Sequence, residues 1–169
     1  MDYQEKEVTP EVFLKVLTGD QEGVKNLIGR DGKVIASGPD DYVFVYIISH
    51  EASGVFLFPS DERLHNTDLN DTLKQMHREN RYKEMILYME TCYSVSMSEG
   101  ILPKDINIYV TTSANAYEPA RMCCWDEIRQ NYVGGNYDNV WMYNRDKANL
   151  HKETLCQQYE VVKKACKHN

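Results

Sequence analysis

Two apolar runs end on residues capable of chemistry. Tyr42-Val43-Phe44-Val45-Tyr46-Ile47-Ile48-Ser49 delivers His50, and Met85-Ile86-Leu87-Tyr88-Met89-Glu90-Thr91 delivers Cys92. Runs this rich in β-branched and aromatic residues, without polar alternation, read as strands buried on both faces of a parallel sheet. Between them Leu69, Leu73 and Met76 recur at helical spacing from about residue 67 to 80, so strand, helix and strand form one right-handed βαβ unit. Chemistry in such sheets gathers at the carboxyl ends of the strands. A histidine and a cysteine placed there on neighbouring strands can face each other as base and nucleophile. The same spacing also suits a strand-end histidine and a buried thiol with no mutual role.

A third strand is expected at 106–112, after a short helix ending near Gly100 and Pro103. Thr9 and Pro10 open a helix over 10–18, as cap and first-turn proline, and Gly19 stops it. A short second helix spans 20–28, and the glycines and Pro39 of 29–41 make a loop. His50 to Gly54 turns into a short apolar piece, Val55 to Phe58, closed by Pro59. The stretch 113–149 shows no clear period, and Gly134-Gly135-Asn136 reads as a loop. Leu155, Tyr159, Val162 and Cys166 mark a last helix over 152–167. Lys163, Lys164, Lys167 and His168 gather at the negative end of its dipole.

The 169 residues fit one domain, 1–169, large enough to bury a core. A formal net charge of −7 argues against a nucleic-acid partner, which requires a basic face. No apolar run reaches the length of a membrane span. The charged start Met1-Asp2-Tyr3-Gln4-Glu5-Lys6-Glu7 has no signal-peptide core, so the chain as written is expected in the cytosol. The five histidines show no ligand spacing, and neither a metal site nor a cofactor is expected. Of the five cysteines, Cys156 and Cys166 lie too far apart along one helix to bridge. Adjacent Cys123 and Cys124 point different ways in any regular element. Buried, inert thiols are expected for all but Cys92.

Four stretches carry a resemblance. They are Val43-Phe44-Val45-Tyr46 leading to His50, Gly54 and Phe58-Pro59; Tyr88 through Met97 around Cys92; Tyr109 through Asn115; and Thr154-Leu155-Cys156-Gln157-Gln158-Tyr159 with Val162-Lys163. In order and spacing they resemble the legumains, the asparaginyl endopeptidases. The resemblance implies a caspase-like α/β fold, with a mostly parallel sheet flanked by helices. It also implies peptide-bond hydrolysis after asparagine in a polypeptide substrate. Cys92 would be the nucleophile and His50 its partner, backbone N–H groups at Glu51 and Cys92 would hold the oxyanion, and Glu90 would line the substrate pocket. Lysosomal or vacuolar residence is implied in the same way.

The chain departs from that pattern around the site. The family's Asp-His-Gly is Ser49-His50-Glu51 here, which places bulk and negative charge beside the nucleophile. The family's Glu-Ser-Gly-Ser after the cysteine is Tyr93-Ser94-Val95-Ser96. A pocket serine is matched by Ala120 and a pocket aspartate by Gly135. The family's first strand, helix and strand, which carry the pocket's arginine, have no counterpart before Thr9, so residues 42–49 are expected to form an exposed apolar edge. Two function classes follow: a cysteine endopeptidase, or a catalytically impaired legumain-like copy with at most a binding role. With Glu90 accepting from a substrate amide and no donor for its carbonyl, little preference for asparagine is expected. Asn70-Asp71-Thr72 is a glycosylation acceptor if the chain is secreted.

Overall fold

The structure is a computed structural model and describes residues 2–59 and 61–167. Its centre is a three-stranded parallel sheet of β1 (Tyr42–Ile48), β5 (Glu84–Glu90) and β6 (Ile108–Thr112), in the order β1-β5-β6. Strand β1 lies beside β5 from Tyr42 opposite Glu84 to Ile48 opposite Glu90, and β6 runs parallel to β5 on the other side. The crossover between β1 and β5 contains α3 (Asn66–Arg78), as its heptad-like stripe predicts. Leu69, Leu73 and Met76 are all buried.

The pleat sorts the side chains of β5. Met85, Leu87 and Met89 join Val43, Leu73, Met76 and Leu17 in one core, beneath α3 and α1 (Pro10–Thr18). Ile86, Tyr88 and, by the same alternation, Glu90 face the other way. There Tyr88 packs with Tyr137, Trp141 and Val162 from α4 (Asn136–Lys147) and α5 (Leu155–Lys167). Tyr88 and Trp141 meet edge to face, with ring centroids 5.3 Å apart. Helices therefore cover both faces of the sheet. Helix α1 begins as the sequence indicates, with the Thr9 hydroxyl accepting from the Val12 N–H and Gly19 closing it at φ 73°. Helix α2 (Gln21–Ile28) follows at once, capped by Asp20.

Several expectations are corrected. Strand β1 is not buried on both faces: Tyr42, Phe44 and Ile48 are exposed, and among the described residues it pairs on one side only. His50 is not merely a residue past a strand. It opens β2 (His50–Ala52), which with β3 (Val55–Leu57) and β4 (Arg63–His65) forms a small antiparallel sheet. In place of a helix before Gly100 there is only a 3-10 turn at Ser94–Met97.

Gly134-Gly135-Asn136 is not a loop. The two glycines end β8 (Asn131–Gly135), which pairs with β7 (Met122–Asp126), and Asn136 begins α4. A Cβ at Gly134 would meet the Asn139 side-chain amide at 2.2 Å, so a side chain there would require Asn139 to move aside.

The cysteine expectations fail in part. Cys123 and Cys124 are joined as a disulfide, because Cys124 takes φ 65° and leaves the regular strand geometry that would send the two side chains apart. Cys156 is exposed rather than buried. Asn70 has no exposure, and its amide donates to the carbonyls of Asn66 and Met97, so in the folded protein it is a core residue and not an accessible acceptor. His168 lies outside the described residues.

Candidate active site

Parallel pairing brings the two expected reactive residues to the same end of the sheet. Ile48 stands opposite Glu90, and the Ser49 N–H donates to the Glu90 carbonyl at 3.3 Å. His50 and Cys92 thus each lie two residues beyond that last pair, on the continuations of neighbouring strands. His50 is exposed and Cys92 half-buried.

The segments bearing them are also tied together beyond the sheet. The Gly54 N–H, at the turn after β2, donates to the Ser96 hydroxyl at 2.8 Å, and the Asn66 amide donates to the Ser96 carbonyl at 3.1 Å. Ser96 lies in the 3-10 turn that follows Cys92. That turn is anchored on its other flank, where the Tyr93 N–H donates to the Glu118 carbonyl at 2.9 Å and the Ser94 hydroxyl to the Ala114 carbonyl at 3.1 Å. Tyr93 itself turns the chain at φ 56°. Glu51 occupies the middle of β2, opposite Phe56; its side chain is not among those described.

Glu90 ends β5 on the face covered by α4, and it is 4% exposed. Sequence reasoning matched Gly135 to a lost acid, and Gly135 does lie against Glu90. A Cβ on it would stand 2.6 Å from both the Cδ and the Oε1 of Glu90. The same point is 3.1 Å from Oδ1 of Asp138, a second buried acid on the first turn of α4. Asp138 was not singled out from the sequence, because 113–149 has no apolar period to reveal a helix there. Its only signal was its spacing, three residues beyond Gly135.

Burial holds the Glu90 carboxyl up at about 7, and the Asp138 charge adds to the effect. Hydrogen bonding from the Asp138 backbone and from Ser113 opposes it. Oε2 of Glu90 has no hydrogen-bond partner. Close by, a cavity of about 480 Å³ opens at the carboxyl end of β6, lined in part by Ser113, Asn136, Tyr137, Arg121 and Cys166. Burial, then the Glu90 charge, pushes the Cys166 thiol up. Ala120, the other departure in the pocket, is half-buried just before β7. Among the described residues, no group of three or more histidine, cysteine or acidic side chains is arranged to hold a metal ion. No helix among them is long and apolar enough to cross a membrane.

The model of the Peptidase C13 family matches residues 1–169. Legumain of Mus musculus is 47% identical over 162 residues, covering 96% of this chain and 36% of the mouse protein. Legumain of Homo sapiens is 44% identical over the same length and coverage. The vacuolar-processing enzyme beta-isozyme of Arabidopsis thaliana is 43% identical over 169 residues, 34% of its own length. The chain therefore spans about a third of the length of these relatives.

Proposed function

The chain belongs to the Peptidase C13 family, and from that premise we propose that it carries a legumain-type cysteine endopeptidase site acting on polypeptides. Cys92 attacks the scissile carbonyl carbon. His50 takes the thiol proton and returns it to the leaving amine as the carbon–nitrogen bond breaks. Water then attacks the thioester, giving its proton to His50, and the acid product leaves with the thiol restored. Backbone N–H groups at Glu51 and Cys92 receive the charge that develops on the carbonyl oxygen. Glu90 lines the pocket for the side chain before the cleaved bond, where the resemblance read from the sequence implies asparagine.

The observation that carries this reading is the β1–β5 register, which sends His50 and Cys92 off one sheet end, together with the Ser96 contacts that pin their two turns to each other. The name of the Arabidopsis relative, a vacuolar-processing enzyme, favours a vacuolar type of compartment.

The test is labelling by a peptide aldehyde or peptidyl Michael acceptor, followed by mass spectrometry. Modification of Cys92 that is lost in His50→Ala supports the dyad. Equal labelling of Cys92 and Cys156, unaffected by that change, overturns it.

The second reading, an impaired copy whose role is binding, has its own observation. Tyr42, Phe44 and Ile48 stand exposed on β1, and an edge of that kind recruits another strand more readily than it supports an isolated enzyme. Under this reading the aldehyde labels nothing selectively.

A further inference from the structure

Glu90 and Asp138 have opposite hydrogen-bond situations. Asp138 is nine-tenths buried, and three donors reach its carboxylate: the Tyr46 hydroxyl at 3.2 Å on Oδ2, and the Asn139 backbone N–H at 2.7 Å and side-chain amide at 3.1 Å on Oδ1. All three are bonds that the carboxylate accepts. Glu90 is more deeply buried and leaves Oε2 without any partner. Both acids flank the single space that a side chain at residue 135 would fill. No ion pair among the described residues involves either of them. Two buried carboxylates this close repel each other, so one of them keeps its proton to a higher pH than a free carboxyl does.

Resting on the endopeptidase reading above, we propose that Asp138 is a positioning residue for substrate recognition: its carboxylate adds to the burial of the neighbouring Glu90 in keeping that acid protonated, and the Glu90 Oε2–H becomes the donor to the carbonyl of a substrate carboxamide. A neutral carboxylic acid presents one O–H donor and one carbonyl acceptor side by side. That is the complement of a carboxamide, whose carbonyl accepts and whose NH₂ donates. A single side chain thus supplies both functions. The raised titration of Glu90, near 7, agrees with the hydrogen-bond inventory. The other titratable groups facing Glu90 are Tyr46 from β1, Tyr137 from α4 and Cys166 from α5. Their own shifts are all upward, which keeps them neutral where Glu90 changes state. Arg121, before β7, acts on Cys166 from the same side.

Two measurements on the intact chain decide the matter. The first follows the Glu90 carboxyl carbon by ¹³C NMR through a pH titration, in the native protein and in Asp138→Asn. The expected midpoint is near 7 in the native chain and clearly lower in the variant. A native midpoint in the ordinary carboxylate range overturns the proposal, and so does one that ignores the loss of the Asp138 charge; the native titration alone suffices if the variant does not fold. This readout needs no catalysis, so it stands even if the dyad reading fails.

The second compares capture of a peptide aldehyde ending in asparagine with one ending in alanine. A preference for asparagine of roughly tenfold is expected below the Glu90 midpoint, falling away above it, and in Asp138→Asn it should fall away at the lower pH where Glu90 titrates in that variant. Capture of both aldehydes with equal affinity at every pH overturns the recognition role while leaving the dyad intact. Capture of neither, with Glu90 titrating near 7, overturns both the dyad and the role of Asp138 in recognition.

Discussion

Burying Glu90 as a neutral acid has a cost that depends on pH, and its sign is fixed. In the unfolded chain the carboxyl titrates at the ordinary value of 4.5; in the folded chain it is held up at about 7. Between these values the folded state binds more protons than the unfolded one, so stability falls as pH rises through the window and levels off above it. Each unit of difference is worth about 1.4 kcal/mol, so the full displacement amounts to about 3 kcal/mol lost between roughly pH 4.5 and pH 7. Against a domain stability of about 5–15 kcal/mol this is a large fraction.

Other carboxyls do not mask the effect. Asp2, Glu7, Asp20 and Asp126 are all held below their ordinary values by cationic or backbone donors, so their contributions change only at more acid pH and with the opposite sign. Urea unfolding followed by the fluorescence of buried Trp141 measures the dependence. Native protein should lose about 3 kcal/mol between about pH 5 and about pH 8 relative to Glu90→Gln, in which the titrating group is gone. Parallel pH profiles for the two proteins, or a native chain gaining stability toward alkaline pH relative to the variant, would refute the reasoning.

Three further outcomes follow from named contacts. Alkylation near neutral pH, resolved by peptide mapping, should find Cys92 fastest, slowed in His50→Ala, and Cys166 slowest of the three free thiols because burial and the Glu90 charge oppose its thiolate. Gly135→Asp should destabilise the fold by about 1–3 kcal/mol in thermal or urea unfolding, since its Cβ would enter the space held by the Glu90 carboxyl; an unchanged midpoint would show that Glu90 swings away freely. Asn70→Ala should cost about 2–4 kcal/mol by the same assay, leaving the Met97 and Asn66 carbonyls without their buried donor and opening a cavity.

The long elements could be read because burial writes itself into periodicity. The βαβ unit of β1, α3 and β5 shows its apolar runs and its stripe of Leu69, Leu73 and Met76 in the bare sequence. Strands β2, β3 and β4 have three residues each, too few to establish any period, so the sheet that carries His50 could not be seen. Helix α4 escaped for a different reason. Its buried residues are Asn136, Tyr137, Asp138 and Trp141, and two of the four are polar, so its inward stripe does not look apolar. Of these, Asn136 and Tyr137 line the cavity at the carboxyl end of β6. The proposed site could therefore be sketched from the sequence at His50, Cys92 and Glu90, where a resemblance and strand ends coincide, but not at Asp138, where the fold buries what composition would place outside.

The exchange of an acid between positions 135 and 138 makes physical sense in the joint between β8 and α4. Gly135 is the N-cap of α4, and Asp138 is the third residue of its first turn. A carboxylate at either place meets the positive end of the helix dipole, so moving it one turn inward keeps that favourable pairing. What changes is the room beside β5. With no side chain at 135, Glu90 leans into the gap, its carboxyl is enclosed, and the nearby charge now comes from Asp138, which is already supplied with donors by Tyr46 and Asn139. An enclosed carboxyl beside a satisfied carboxylate is the one that protonates. On the proposed reading the loss at Gly135 and the acid at Asp138 are one rearrangement rather than two independent departures, and its chemical consequence is a pocket acid that donates as well as accepts.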